Sequence, residues 1–262
     1  MKVIAVANQK GGVGKTTTSV NLAASLSTMR RRVLLIDLDP QGNATMGSGV
    51  SKDELVESIY DVLVYQESIT DIARKNHDTG FFLLGSNSDL TAAEIELLAM
   101  ENRESRLKNA LIGLESDYDY VFIDCPPSLN LLTLNALVAA QGVIIPMQCE
   151  YYALEGLTAL MGTVTRVREQ LNPSLKIEGI VRTMYDSRNS LTKDVSAQLS
   201  EYFGDRLYRT VVPRNVRLAE APSYGLPVYY YDSKSSGSKA YLALAGEVLR
   251  RMEPTHVNRG NG

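Results

Sequence analysis

The 262-residue chain is predicted to fold as a single-domain α/β protein, a doubly wound, mostly parallel sheet with helices on both faces. Three observations predict this. Short apolar runs recur at 3–7, 33–36, 120–123, 142–147 and 177–181, and each has the length of a buried strand. Stretches of helical pattern separate them, so consecutive strands are joined by crossovers, which are right-handed and build a parallel sheet. Two of the runs end in an acid and one in a glycine-rich turn, where open α/β sheets bind ligands. With 44% hydrophobic residues the chain can bury one large core, and the domain is expected to span 1–251, with polar 252–262 as a flexible tail.

The first run, Val3-Ile4-Ala5-Val6-Ala7, leads into Lys10-Gly11-Gly12-Val13-Gly14-Lys15-Thr16-Thr17, and a helix-forming stretch follows from Ser19 to Leu26. Strand, glycine-rich turn and helix in that order make a phosphate cradle. Glycines at 11, 12 and 14 let the backbone turn with positive φ and bring N–H groups against phosphate oxygens with no Cβ between. The helix N-terminus adds partial positive charge at the same point. Lys15 supplies a mobile cation for β- and γ-phosphates, and the Thr16 hydroxyl a hard oxygen for Mg²⁺. A turn that merely joined strand to helix would have no use for a lysine followed by two threonines.

The second run ends in Asp37-Leu38-Asp39-Pro40-Gln41-Gly42. A carboxylate at the C-terminal end of a buried strand lies where open α/β sheets bind ligands, and beside a phosphate loop Asp39 is expected to belong to the site; a turn residue before Pro40 is the other reading. Residues 51–79 are polar and helical in pattern, with Leu55, Ile59 and Leu63 spaced for one face, and no function is read there. Residues 81–85 read as a strand. Within 90–114 a helix is expected whose Glu94, Glu96, Glu101 and Glu104 form a solvated face.

The strand Tyr120-Val121-Phe122-Ile123 is capped by Asp124 and stopped by Cys125-Pro126-Pro127-Ser128. A carboxylate at the tip of a buried strand can orient a magnesium-bound water. The expected metal set is therefore Thr16 directly, with Asp39 and Asp124 through water. Strand 142–147, a helix over 154–171 and strand 177–181 complete the alternation.

Two C-terminal stretches hold further candidates. In Pro213-Arg214-Asn215-Val216-Arg217 the amide of Asn215 can read an adenine edge and the Pro213 ring can pack on its face, although an ordinary loop asparagine fits the same letters. Arg188 lies in Met184-Tyr185-Asp186-Ser187-Arg188-Asn189. The formal charge of −3 hides an asymmetry: residues 1–179 hold 15 Lys/Arg and 22 Asp/Glu, and residues 180–251 hold 11 and 7, a local +4.

The phosphate loop has Gln9 where the general pattern has glycine, followed by the extra lysine Lys10. This KGGVGKT form resembles the deviant Walker A box of the ParA/MinD ATPase family. DLDPQGN resembles the family's A′ motif, whose second aspartate, here Asp39, is thereby implied to help position the attacking water; YVFIDCPPS resembles its Walker B, and PRNVRLAEAP closely resembles chromosomal ParA/Soj proteins. The resemblance runs from residue 2 to about 251, with four motifs in order. It implies a P-loop NTPase that hydrolyses ATP to ADP with Mg²⁺, using Lys10, Lys15, Asp39 and Asp124. It also implies a sandwich homodimer in which Lys10 reaches the partner's phosphates, and Pro213 and Asn215 flanking the adenine. Non-specific DNA contacts would come from Arg188, Arg217 and Arg214, and a ParB-type centromere-binding partner would stimulate hydrolysis. Leu226 and Ser236 stand where some relatives have basic residues, which trims the implied DNA footprint.

Cys125 and Cys149 have neither CxxC nor cluster spacing, which argues against a disulfide framework, a zinc site or an iron–sulfur reductase and points to buried thiols in a reducing cytoplasm. No run approaches a membrane span, and EPTHVNRGNG lacks the basic amphipathic face of a MinD-like membrane ATPase, the alternative reading. The expected location is cytoplasmic and nucleoid-associated, with no membrane partner.

Overall fold

The computed structural model describes residues 1–76, 78–151 and 153–253. Its strands are β1 (Lys2–Val6), β2 (Val33–Asp37), β3 (Arg74–Lys75), β4 (Phe82–Leu84), β5 (Tyr120–Asp124), β6 (Gly142–Gln148), β7 (Lys176–Tyr185) and β8 (Leu207–Pro213). They pair in the order β3-β4-β2-β5-β1-β6-β7-β8, all in parallel except the short β3–β4 pair. β5 and β6 flank β1 on opposite sides, so the crevice beyond the strand ends opens at β1, where the glycine-rich turn begins. β2 and β5 are buried along their whole length, which is why they read as unbroken apolar runs.

Twelve α-helical segments are present among the described residues: α1 (Lys15–Thr28), α2 (Asn43–Gly47), α3 (Ile59–Tyr65), α4 (Ile69–Ile72), α5 (Leu90–Leu98), α6 (Arg106–Ala110), α7 (Leu131–Ala139), α8 (Ala153–Gln170), α9 (Ser190–Phe203), α10 (Val216–Glu220), α11 (Val228–Tyr231) and α12 (Ser236–Met252). Strand side chains alternate between two cores. Ile4, Val6, Val33 and Leu35 pack with α1 and α12 through Leu22, Leu26, Tyr241 and Leu244. Val3, Ala5, Leu34 and Ile36 face the opposite layer, with Leu97, Leu107, Leu137 and Leu160.

The structure bears out the doubly wound sheet and departs from the sequence reading in four details. Leu55 does not share a helix with Ile59 and Leu63; it follows a 3₁₀ turn over Lys52–Glu54, and α3 starts only after the Ser58 capping box. The polar stretch before residue 79 also supplies β3, which pairs antiparallel to β4. The helix expected within 90–114 is interrupted, because Asn102 takes φ 52° and separates α5 from α6. Glu94 and Glu96 are half-buried rather than solvated: Glu96 accepts from the Tyr60 hydroxyl at 3.0 Å, and Glu94 accepts from Asn130 Nδ2. Both cysteines are buried and free. α12 ends at Met252, and Glu253 pairs with Arg31 at 2.7 Å; the rest of the expected tail, 254–262, lies outside the described residues.

One buried amide ties the interrupted segment to the sheet-covering layer. Asn135 in α7 is fully buried, accepts from Leu107 N at 3.1 Å, and donates to Arg103 O at 2.8 Å and Leu131 O at 3.0 Å. Asn135→Ala strands the Leu107 N–H and the Arg103 carbonyl, and each unpaired buried group costs about 1–3 kcal/mol. The expected loss is about 2 kcal/mol or more in urea unfolding. A loss under about 0.5 kcal/mol would mean that these groups find other partners.

Candidate nucleotide-binding site

The turn between β1 and α1 is shaped by its glycines. Gly12 and Gly14 have φ of 72° and 87°, and Gly14 is the N-cap of α1 without any side-chain cap. The first N–H groups of α1 are therefore left for an anion. The turn is braced from behind: Asn8 donates to Pro146 O at 2.8 Å and accepts from Lys10 N at 3.0 Å, while Thr183 at the end of β7 donates to Val13 O at 2.7 Å.

Lys15 is nearly buried, with Nζ donating to Lys10 O at 3.1 Å. Burial lowers its pKa, against the opposing charges of Asp124, Cys125 and Asp39. A cation so placed has lost much of its water and, among the described residues, lacks an ionic partner in direct contact, which suits it to a phosphate. One step along, Thr16 Oγ1 donates to Asp124 Oδ2 at 2.8 Å, and Ser19 Oγ donates to Asp124 Oδ1 at 2.8 Å. Asp124 is fully buried, and burial, with Asp37 beside it, holds its pKa well above the usual carboxylate range.

The acid pair at the end of β2 divides its tasks. Asp37 is fully buried and accepts from Thr45 N and Thr45 Oγ1, both at 2.8 Å, and from Asp39 N at 3.2 Å. Its pKa is also raised, chiefly by burial. Asp39 is half-buried at the cleft wall, and its Oδ1 takes Gln41 N–H at 3.0 Å. Asp39 thus makes a turn contact with one oxygen, and the other has no protein hydrogen bond among the described residues.

Beside these residues opens a cleft of about 1190 Å³. It brings together Gly11, Gly12, Gly14, Lys15, Thr16, Thr17 and Asp39 with Pro213, Arg214 and Asn215 from the far C-terminal side. Thr91, Glu94, Pro126, Pro127, Ser128 and Asn130 form another wall. Asn215 N-caps α10, accepting from Leu218 N at 3.3 Å, and donates to Ser236 Oγ at 2.9 Å. Each end of its amide keeps one hydrogen-bonding position unused, enough for a two-point contact with a base.

Val13, Lys10, Arg188 and Arg217 lie off this cleft, whereas Arg214 is part of its wall. Val13 is buried and contributes its carbonyl to Thr183. Lys10 is half-exposed and pairs with Glu150 at 2.5 Å. Arg188 is almost fully exposed and forks onto Asp186, with contacts at 3.0 and 2.9 Å. Arg217 pairs with Glu220 at 2.8 Å and Asp232 at 3.4 Å. Arg214 is exposed, with no ion pair among the described residues, and its backbone N–H donates to Tyr185 O at 3.2 Å, joining its loop to that of Arg188.

Sequence reasoning missed Ser19, Asp37, Thr45 and Thr183 as parts of the site. Asp37 is the first residue of the DLDPQGN stretch, Thr45 lies two residues beyond its end, and Ser19 lies one helical turn beyond Thr16, so their proximity was available locally. Thr183 gave no such signal.

Residues 1–177 match the AAA domain family. The chain is 51% identical over 253 residues to the chromosome partitioning protein ParA of Caulobacter vibrioides, covering 96% of this chain and 95% of that one. The chain belongs to the ParA/Soj family of chromosome-partitioning ATPases. A second ParA/Soj relative, the sporulation initiation inhibitor protein Soj of Bacillus subtilis, is 52% identical over 94% of this chain and 98% of its own. Among solved structures, cobyrinic acid a,c-diamide synthase from Mycobacterium smegmatis with a bound ATP analogue and magnesium superposes with a TM-score of 0.84. It is 40% identical, and the match covers 95% of both chains. The doubly wound fold of this ParA/Soj chain is thus one that accommodates a nucleotide and magnesium in a relative. Among the described residues no helix is long and apolar enough to cross a membrane.

Proposed function

We propose that this ParA/Soj chain is a Mg²⁺-dependent ATPase whose ATP-bound sandwich homodimer binds double-stranded DNA without sequence preference and releases it after hydrolysis stimulated by a ParB-type partner. The observation that carries the reading is the single cleft that joins the uncapped N-terminus of α1 and the desolvated Lys15 to Asp39 on one side and the Pro213–Asn215 wall on the other.

The residues present fit a magnesium ion. The Thr16 hydroxyl is a hard oxygen beside the phosphate turn, with carboxylates behind it in Asp124 and beside it in Asp39. Mg²⁺ keeps several waters and leans on phosphate oxygens, so a site with few protein ligands suits it. A magnesium ion held there would supply neutralisation of the triphosphate's charge. The chain's own residues do the rest. The backbone amides of the turn and Lys15 bind the triphosphate, the free oxygen of Asp39 orients water, and Asn215 with Pro213 holds the base. Lys10 exchanges Glu150 for the phosphates of the partner protomer.

DNA contact rests on Arg188, Arg217 and Arg214. The first two are exposed cations held by neighbouring acids, and exposed pairs are weak enough to be exchanged for phosphates. One protomer therefore binds weakly, and an ATP-closed dimer gains by presenting two patches together. In an electrophoretic shift at low salt, Asp39→Ala with ATP is expected to retard DNA, and the same protein with ADP to leave it free. Charge reversal at Arg188 or Arg217 is expected to lower DNA affinity uniformly across sequences and to lower the slope of log K against log salt by about 0.9 for each phosphate the variant no longer neutralises. Dimerisation with ATP should survive either change. Sedimentation with anionic liposomes in place of DNA binding would instead make the protein a MinD-like positioning ATPase. DNA retention by the dimer favours the cytoplasmic, nucleoid-associated location.

A further inference from the structure

Nothing in the sequence marks the end of β4 and the turn that follows it as functional, yet they support the loop that holds Asp39. Thr45 is fully buried in α2, eight residues after Asp37. Its hydroxyl donates to Asp37 Oδ2 at 2.8 Å and accepts the backbone N–H of Ser86 at 2.9 Å. The one hydroxyl proton goes to the carboxylate and a lone pair takes the amide, so the orientation of the group is fully determined. Asp37 in turn takes Thr45 N–H with the same oxygen and uses its other oxygen for Asp39 N–H at 3.2 Å. A chain of hydrogen bonds therefore runs from Ser86 through Thr45 and Asp37 to the backbone of Asp39.

The packing around this chain leaves no room for slack. A Cβ on Gly42 would lie 2.8 Å from Ser86 O, and Gly42 has φ 65°. A Cβ on Gly85 would lie 2.9 Å from Leu55 Cδ1 and 3.2 Å from Thr45 Cγ2. The Asp39 loop thus rests directly on the end of β4 at two glycines, and Leu55 closes the far side.

We propose that Thr45 is a positioning residue for ATP turnover: its hydroxyl, anchored on Ser86, fixes the Asp37 carboxylate and through it the backbone from which Asp39 addresses the attacking water. The inference rests on the ATPase reading above. Thr45 lies outside the residues lining the cleft, so its loss acts on the placement of Asp39 and leaves nucleotide binding alone.

The test uses the full chain and two readouts, ATP affinity by titration calorimetry and steady-state turnover. Thr45→Val is expected to bind ATP within about twofold of wild type and to lose about tenfold or more in turnover, because a reacting group displaced by a fraction of an ångström loses its orientation while the groups that grip the ligand stay in place. Thr45→Ser keeps the hydroxyl and is expected to recover most of the rate. Gly85→Ala keeps Thr45 but pushes on it, and an intermediate rate is expected. Wild-type turnover in Thr45→Val, or equal losses in the Val and Ser variants, overturns the inference and leaves the ATPase reading intact. Should Thr45→Val fail to reach the folded state by circular dichroism, undiminished turnover in Gly85→Ala overturns it. A wild-type chain that binds no ATP overturns the ATPase reading, and the inference with it, before any variant is made.

Discussion

Lys15→Ala is expected to abolish tight ATP binding while leaving the nucleotide-free protein folded. Among the described residues Lys15 Nζ is hydrogen-bonded only to a backbone carbonyl, Lys10 O at 3.1 Å, and burial already works against its charge. Removing it costs the apo fold little, since one side chain-to-backbone hydrogen bond is worth about 1 kcal/mol. In the complex the same group would make charge-assisted bonds to two phosphates, each worth about 1.5–3 kcal/mol. The dissociation constant for ATP should therefore rise by about a hundredfold or more. Calorimetric titration with Mg-ATP measures this, and thermal unfolding of the apo protein provides the control. An unchanged affinity would mean that the cleft is not a triphosphate site.

Asp39→Ala is expected to give the converse phenotype, with ATP bound, the dimer formed and turnover lost. Asp39 contributes one oxygen to Gln41 N–H, so truncation loosens a turn that Gly42 N–H to Asp39 O, at 2.9 Å, still closes. No residue proposed to grip the triphosphate hydrogen-bonds to that carboxylate among the described residues, and of the charges that favour protonated Lys15 that of Asp39 is the smallest. A positioned acid or base contributes about 10²–10⁴-fold to rate, and a loss of that size is expected in single-turnover hydrolysis. Light scattering should show dimer with ATP and monomer without nucleotide. Near-normal turnover would reduce Asp39 to its turn contact. Turnover lost together with ATP affinity would place its role in binding.

The nucleotide cleft was legible in the sequence wherever function follows from local chain order. A strand, three glycines, a lysine and a threonine within eighteen residues dictate a phosphate turn, because positive φ at Gly12 and Gly14 and the uncapped start of α1 are settled by near neighbours. Asp39 was legible for the same reason: a strand end followed by a proline puts a carboxylate at the sheet's C-terminal rim. Glu94 and Glu96 misled because a helical wheel distinguishes faces but not what stands opposite them. Their partners, Asn130 and Tyr60, are each 36 residues away.

By itself, then, the sequence determined the layered fold and the residue types proposed to meet a triphosphate, since hydrophobic period, glycine conformation and turn chemistry act over a few residues of chain. Tertiary structure alone decided what restrains them. Thr183 reaches Val13 only because β7 lies beside β6 in the sheet order, and Asp37 stands level with Asp124 only because β2 pairs with β5 in register. Lys10 meets Glu150 across 140 residues, and Ser86 supports Thr45 across 41. Such partnerships arise because a buried polar group must find a donor or acceptor among whatever the strand order brings to it, and that order is a property of the whole chain.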